Sequence, residues 1–174
     1  AARRLREQAD ILARIDAQDS GNPIKGMHFD VMLGATLVEY FAGLTTEAKG
    51  ETIPQRDGRL TYTTREPLGV VARLVAFNHP LLFAAAKMAA PLAAGNSVII
   101  KPSEETPYTG GMIFAEIFEA AGVPPGVLNV VTCSRENVPA VGDIIVEHPL
   151  IKGISFTGST PVGRVIAAKA GAHL

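Results

Sequence analysis

Cysteine occurs once in this chain of 174 residues, at position 133, which excludes an intrachain disulfide framework and a cysteine cage for a metal. No metal site is expected, and a reducing compartment, taken to be the cytoplasm, suits such a composition. A block of one charge sign is also missing: the formal net charge is -1, with neither an RNA-binding signature nor zinc-ligand spacing, so no nucleic-acid partner is expected. Long apolar runs are scarce. The longest, Leu81 to Ala94, contains Lys87 and Pro91 and is too short to span a bilayer, so no membrane partner is expected. The opening AARRLREQADILARI is charged throughout and has no uninterrupted apolar core of the kind a secretory signal needs. Internal repeats and low-complexity segments are equally lacking.

What is present suits one α/β domain, since 47% of the residues are hydrophobic and 19% charged. The chain is organised around Val70 to Glu104. An apolar, β-branched run over Gly69 to Ala76 stops at Asn78-His79, and Pro80 starts an alanine-rich segment reaching Ala94, closed by Gly95-Asn96. A second apolar run, Ser97 to Ile100, ends at Lys101-Pro102-Ser103-Glu104. This is a βαβ unit. Its strand ends carry an amide on one side and a cation with a carboxylate on the other, where an open parallel sheet places polar ligands.

The remaining elements follow in order. Leu5, Ile11, Leu12 and Ile15 define the apolar face of an N-terminal amphipathic helix, in which the chain starts without methionine, as if cut from a longer one. A second helix is predicted over Phe29 to Lys49, burying Val31, Leu37, Val38, Phe41 and Leu44 and stopped by Gly50. From Glu51 to Pro67 the threonines, Ile53, Leu60 and Tyr62 predict a hairpin around Arg56-Asp57-Gly58, projecting from the domain and covered by another strand or subunit. Beyond the central unit come a helix over Thr106 to Ala121, a strand over Val127 to Val131, a helix over Glu136 to Glu147 and a strand over Ile151 to Phe156. A last helix follows Thr157-Gly-Ser-Thr-Pro161 and turns Val162, Val165 and Ile166 inward. Ser159 or Thr160 is placed to cap it, Gly163 to allow close packing, and the exposed N–H groups to receive a pyrophosphate. The fold class is therefore α/β, a doubly wound Rossmann-like parallel sheet with right-handed crossovers, N-terminal helices and a projecting β-hairpin.

Five motifs in register, Ala76-Phe-Asn-His-Pro80, Gly95-Asn-Ser-Val98, Lys101-Pro-Ser-Glu104 with Thr106-Pro107, Gly122-Val-Pro-Pro-Gly-Val-Leu-Asn129 and Phe156-Thr-Gly-Ser-Thr160, resemble the aldehyde dehydrogenase superfamily. The resemblance covers essentially the whole chain. It implies an N-terminal helical part over residues 1–50, an oligomerisation hairpin over 51–67 and an incomplete NAD-binding domain over 68–174. It also implies a homo-oligomer, dimer or tetramer, acting on a small-molecule aldehyde. By the same resemblance Asn78 is the catalytic residue that holds the oxyanion formed when a cysteine thiolate attacks the aldehyde, before hydride passes to the nicotinamide. The cofactor-binding residues implied are Phe77, Lys101, Ser103, Glu104, Gly158 and Ser159. Lys101 and Glu104 would hold the adenosine ribose and Ser159 the pyrophosphate. A carboxylate at Glu104 favours NAD, with NADP left open.

Bland readings stand beside these. Asn78 alone is a turn residue and Lys101 with Glu104 a surface ion pair. His79 is expected to pack or hydrogen-bond locally, Cys133 to be a small buried thiol, and His28, His148 and His173 to be solvated. Ala76-Phe77 replaces the family's Pro-Trp, and Thr132 to Glu136 stand where glycines are common, which unsettles cofactor contacts at that turn. The family's Glu-Leu-Gly-Gly motif and nucleophilic cysteine have no counterpart here, so this polypeptide alone is expected not to oxidise aldehydes. A noncatalytic dinucleotide-binding or structural module, and an acylating or acyl-phosphate-reducing relative, are the alternative functions.

Overall fold

The computed structural model describes residues 1–56 and 58–173. Three helices lead: α1 (Ala2–Glu7), α2 (Ala9–Ser20) and α3 (Ile24–Gly43). The single N-terminal helix expected from periodicity is divided at Gln8. Leu5 and Leu12 are buried, but Ile11 is 63% exposed, because α2 turns Ala9, Leu12, Ala13 and Asp16 inward. Helix α3 starts before Phe29 and ends at Gly43 instead of Lys49, leaving Leu44 exposed beyond it. Gly50 is not its stop. A Cβ there would lie 1.7 Å from the Thr63 carbonyl oxygen, so glycine is needed for a close backbone approach to the ribbon.

That ribbon pairs β1 (Thr52–Ile53) with β2 (Thr61–Tyr62) antiparallel, Thr52 opposite Tyr62, with all four residues exposed. Asp57, the centre of the predicted turn, lies outside the described residues.

Four strands, β3 (Val70–Leu74), β4 (Ser97–Lys101), β5 (Leu128–Val130) and β6 (Ile151–Phe156), form one parallel sheet in the order β5-β4-β3-β6. They are joined by α4 (Pro80–Ala93), α5 (Ile113–Ala120) and α6 (Val138–Glu147), and α7 (Thr160–Gly171) follows β6. Gly95, at φ 82, and Asn96 close α4 as expected: the Asn96 amide donates to the Pro91 carbonyl at 2.9 Å and its oxygen accepts from Gly69 N–H at 3.0 Å. Helix α5 begins later than Thr106 because a π-helical turn, Tyr108–Met112, precedes it. A Cβ on Gly111 would sit 2.9 Å from Val130 and 3.0 Å from Pro102, so the two glycines at 110 and 111 let this turn press against the sheet end.

Both faces of the sheet are covered, as the alternating pattern requires. Helices α1 to α5 bury Leu5, Val31, Leu81, Met88, Phe114 and Phe118 against Val98 and Ile100 on one face. On the other, Ile145 and the half-buried Ile166 pack on Ala72, Leu74 and Phe156. Each fully buried side chain of this size contributes about 1.5–3 kcal/mol. No helix among the described residues is long and apolar enough to cross a membrane.

Candidate functional site

The chain runs from β3 through β4 to β5 on one side and returns to β6 on the other side of β3. That reversal opens a crevice at the carboxyl ends of β3 and β6, which is where the topology of such sheets places ligands. A cleft of about 1010 Å³ lies there, at the upper end of the roughly 300–1,000 Å³ usual for cofactor sites. Phe77, Lys101, Ser103, Glu104, Gly158 and Ser159, all six cofactor-binding candidates, line it. Asn78 does not. It is exposed just before α4, and its backbone carbonyl accepts a 2.7 Å hydrogen bond from the Asn22 amide, tying the loop to the α2–α3 turn.

Lys101 is buried at the end of β4, with its ammonium 3.8 Å from the half-buried Glu104 carboxylate. This separation is an ion pair and too long for a hydrogen bond, and no described donor hydrogen-bonds that carboxylate, so its acceptor sites stay available for hydroxyls. At α7, Ser159 occupies the cap position but its hydroxyl makes no capping bond, contrary to expectation. The first-turn N–H groups, apart from the one Pro161 lacks, have no side-chain partner and suit an anion. A Cβ at Gly158 would lie 2.5 Å from the Phe156 ring, and at Gly163 3.2 Å from it, so the two glycines make room for that ring. Val162 and Val165, expected in the core, are 50% and 54% exposed and line the cleft with Val138, Gly142 and Val146 of α6. The carboxylate, the open helix end and this apolar wall together match a ligand with hydroxyls, phosphates and a flat base.

Several residues behind the rim escape a reading of the sequence. Arg73, 1% exposed within β3, donates to the Phe83 carbonyl at 3.1 and 2.9 Å, to the Ser155 carbonyl at 3.1 Å and to the Thr157 hydroxyl at 2.7 Å. Burial lowers its pKa to about 10, so it is charged at neutral pH. The signal was an arginine inside an apolar strand. His79 packs edge-on against Phe83, with ring centroids 5.7 Å apart, as expected, while its Nδ1 meets Asp30, buried on α3, at 2.6 Å. Asp19 accepts from the Thr109 N–H and hydroxyl at 2.9 and 2.8 Å. Asp16 is fully buried with neither oxygen in hydrogen-bonding geometry with a described partner, and burial, opposed by the nearby Thr109 hydroxyl and reinforced by Asp30 and Asp19, pushes its pKa up to about 6. Cys133 is half-buried and does not line the cleft; His28 is half-buried, 3.4 Å from Asp10, and not fully solvated.

A parallel sheet with a cleft at its switch point defines a doubly wound α/β domain, the class in which ligands bind at that position. The sequence matches the aldehyde dehydrogenase family over residues 1–174, and the chain belongs to that family. A benzaldehyde dehydrogenase of Corynebacterium glutamicum, described as NAD-dependent, is 34% identical and superposes with a TM-score of 0.91 over 98% of this chain and 37% of its own. The protein PnpE, solved with nicotinamide adenine dinucleotide, is 38% identical with a TM-score of 0.91 over 98% of this chain and 34% of its own. A glyceraldehyde-3-phosphate dehydrogenase of Methanocaldococcus jannaschii, solved with NADP, is 38% identical with a TM-score of 0.89 over 98% and 37%. The chain thus spans about a third of the length of these relatives.

Proposed function

We propose that the cleft binds NAD, with NADP also accommodated, and that the whole protein oxidises a small aldehyde to a carboxylic acid. One observation carries the reading: Lys101 and Glu104 at the end of β4 and Ser159, far later in the sequence at the start of α7, line a single cleft of a family whose relatives were solved with these dinucleotides. Glu104 accepts the adenosine ribose hydroxyls with lone pairs that no described donor occupies, and buried Lys101 holds its carboxylate in place. The α7 N-terminus and the Ser159 hydroxyl receive the pyrophosphate, and the Val162 and Val165 wall receives the base. Bound there, the dinucleotide supplies a hydride acceptor.

Asn78 presents a neutral amide donor where negative charge develops on the substrate oxygen, on a loop secured by Asn22 and by the Asp30–His79 bond. The attacking thiolate is not Cys133, which stands off the cleft, and residues 1–174 alone bind without turnover. The exposed ribbon, with Ile53, Leu60 and Tyr62 on its surface, offers an edge for self-association in a homo-oligomer, and the single thiol suits a cytoplasmic setting. Calorimetric titration tests the reading. Saturable NAD binding that Glu104→Ala weakens about tenfold is expected, as loss of charge-assisted hydrogen bonds requires. Absence of NAD binding, or an unchanged affinity in the variant, refutes it.

A further inference from the structure

The turn after β5, Thr132-Cys-Ser-Arg-Glu136, brings a charge to the cleft that the nucleotide reading leaves unused. Arg135 lines the cleft and lies with Nε 3.8 Å from one oxygen of Glu104, while Lys101 lies 3.8 Å from the other oxygen. Its Nη1 also donates to Glu105 at 3.1 Å. Two cations and two carboxylates therefore share this corner and cancel formally, so Glu104 does not present an uncompensated negative charge. The two cations differ in freedom. Lys101 is buried on a strand, whereas the Arg135 side chain is 80% exposed at the start of a short 3₁₀ turn, with Glu105 a half-exposed, exchangeable partner.

We propose that Arg135 is the specificity-determining residue for the 2′-phosphate of NADP, an inference that rests on the dinucleotide reading above. Its guanidinium offsets Glu104 and Glu105. When a 2′-phosphate arrives beside Glu104, the guanidinium exchanges the exposed Glu105 carboxylate for the phosphate, to which its planar fork is better matched. The exchange leaves no cation unpaired, and Lys101 continues to hold Glu104 for the remaining ribose hydroxyl. A carboxylate at position 104, which by itself disfavours NADP, is thereby made tolerant of both dinucleotides.

The test is calorimetric titration of the full protein with NAD, NADP, ADP and 2′,5′-ADP, for wild type, Arg135→Ala and Arg135→Lys. Arg135→Ala should weaken NADP and 2′,5′-ADP about tenfold or more relative to NAD and ADP, with Arg135→Lys between the two, as expected for loss of charge-assisted hydrogen bonds. Binding of NADP should also be the more salt-sensitive. If NAD binds but the NADP-to-NAD affinity ratio in Arg135→Ala stays within about twofold of wild type, the role of Arg135 is refuted while the dinucleotide reading stands. If wild type binds NAD and not NADP, this inference fails together with the accommodation of NADP, while the NAD reading stands. If neither dinucleotide binds, both fail.

Discussion

Replacing Asp16 with asparagine should flatten the dependence of stability on pH. The carboxyl is fully buried on α2, and burial, only partly offset by the Thr109 hydroxyl and reinforced by Asp30 and Asp19, raises its pKa from 3.8 to about 6. Because the folded state binds the proton more tightly than the unfolded chain, the stabilisation it confers is complete below 3.8 and is lost as pH rises through about 6. The displacement is worth about 3 kcal/mol at most. Above the folded pKa an ionised, desolvated carboxylate remains inside the helical layer. Asparagine keeps the shape and exchanges no proton, so denaturant midpoints measured between pH ~4 and ~7 should fall less steeply in Asp16→Asn than in wild type. Only the difference between the two pH curves matters, since the amide has its own constant desolvation cost. Parallel curves, differing by a constant within about 0.5 kcal/mol, would show that Asp16 ionises as freely in the fold as in the unfolded chain.

Other substitutions probe the site. Asn78→Ala in the full protein should lower kcat about 100-fold if the amide stabilises an oxyanion, and steady-state turnover at the wild-type rate would contradict that role. Gly158→Ala places a methyl 2.5 Å from the Phe156 ring and forces the ring to move. An overpacking cost of about 1–3 kcal/mol should appear in the unfolding midpoint together with weaker NAD binding by calorimetry. Arg73→Lys cannot reach the Phe83 carbonyl, Ser155 and Thr157 together, so a loss of about 2 kcal/mol is expected in denaturant unfolding.

By itself the order of residues determined the βαβ alternation, the strand at Ile151–Phe156, the stop at Gly95-Asn96 and the placing of Lys101 and Glu104 at a strand end. These are local outcomes: hydrophobic period, helix stops and turn chemistry act over a few residues, and a parallel sheet then collects strand ends at one rim. Local pattern could not say whether an apolar stripe meets the core or a ligand, which is why Val162 and Val165 face the cleft and Ile11 faces solvent. Nor could it foresee pairings made across the sheet order. Asp30 reaches His79 from 49 residues away, Arg73 gathers carbonyls from α4 and β6, and Arg135 arrives beside Glu104 only because β5 lies next to β4. Such contacts depend on the stacking of layers, and only the folded chain brings them within bonding distance.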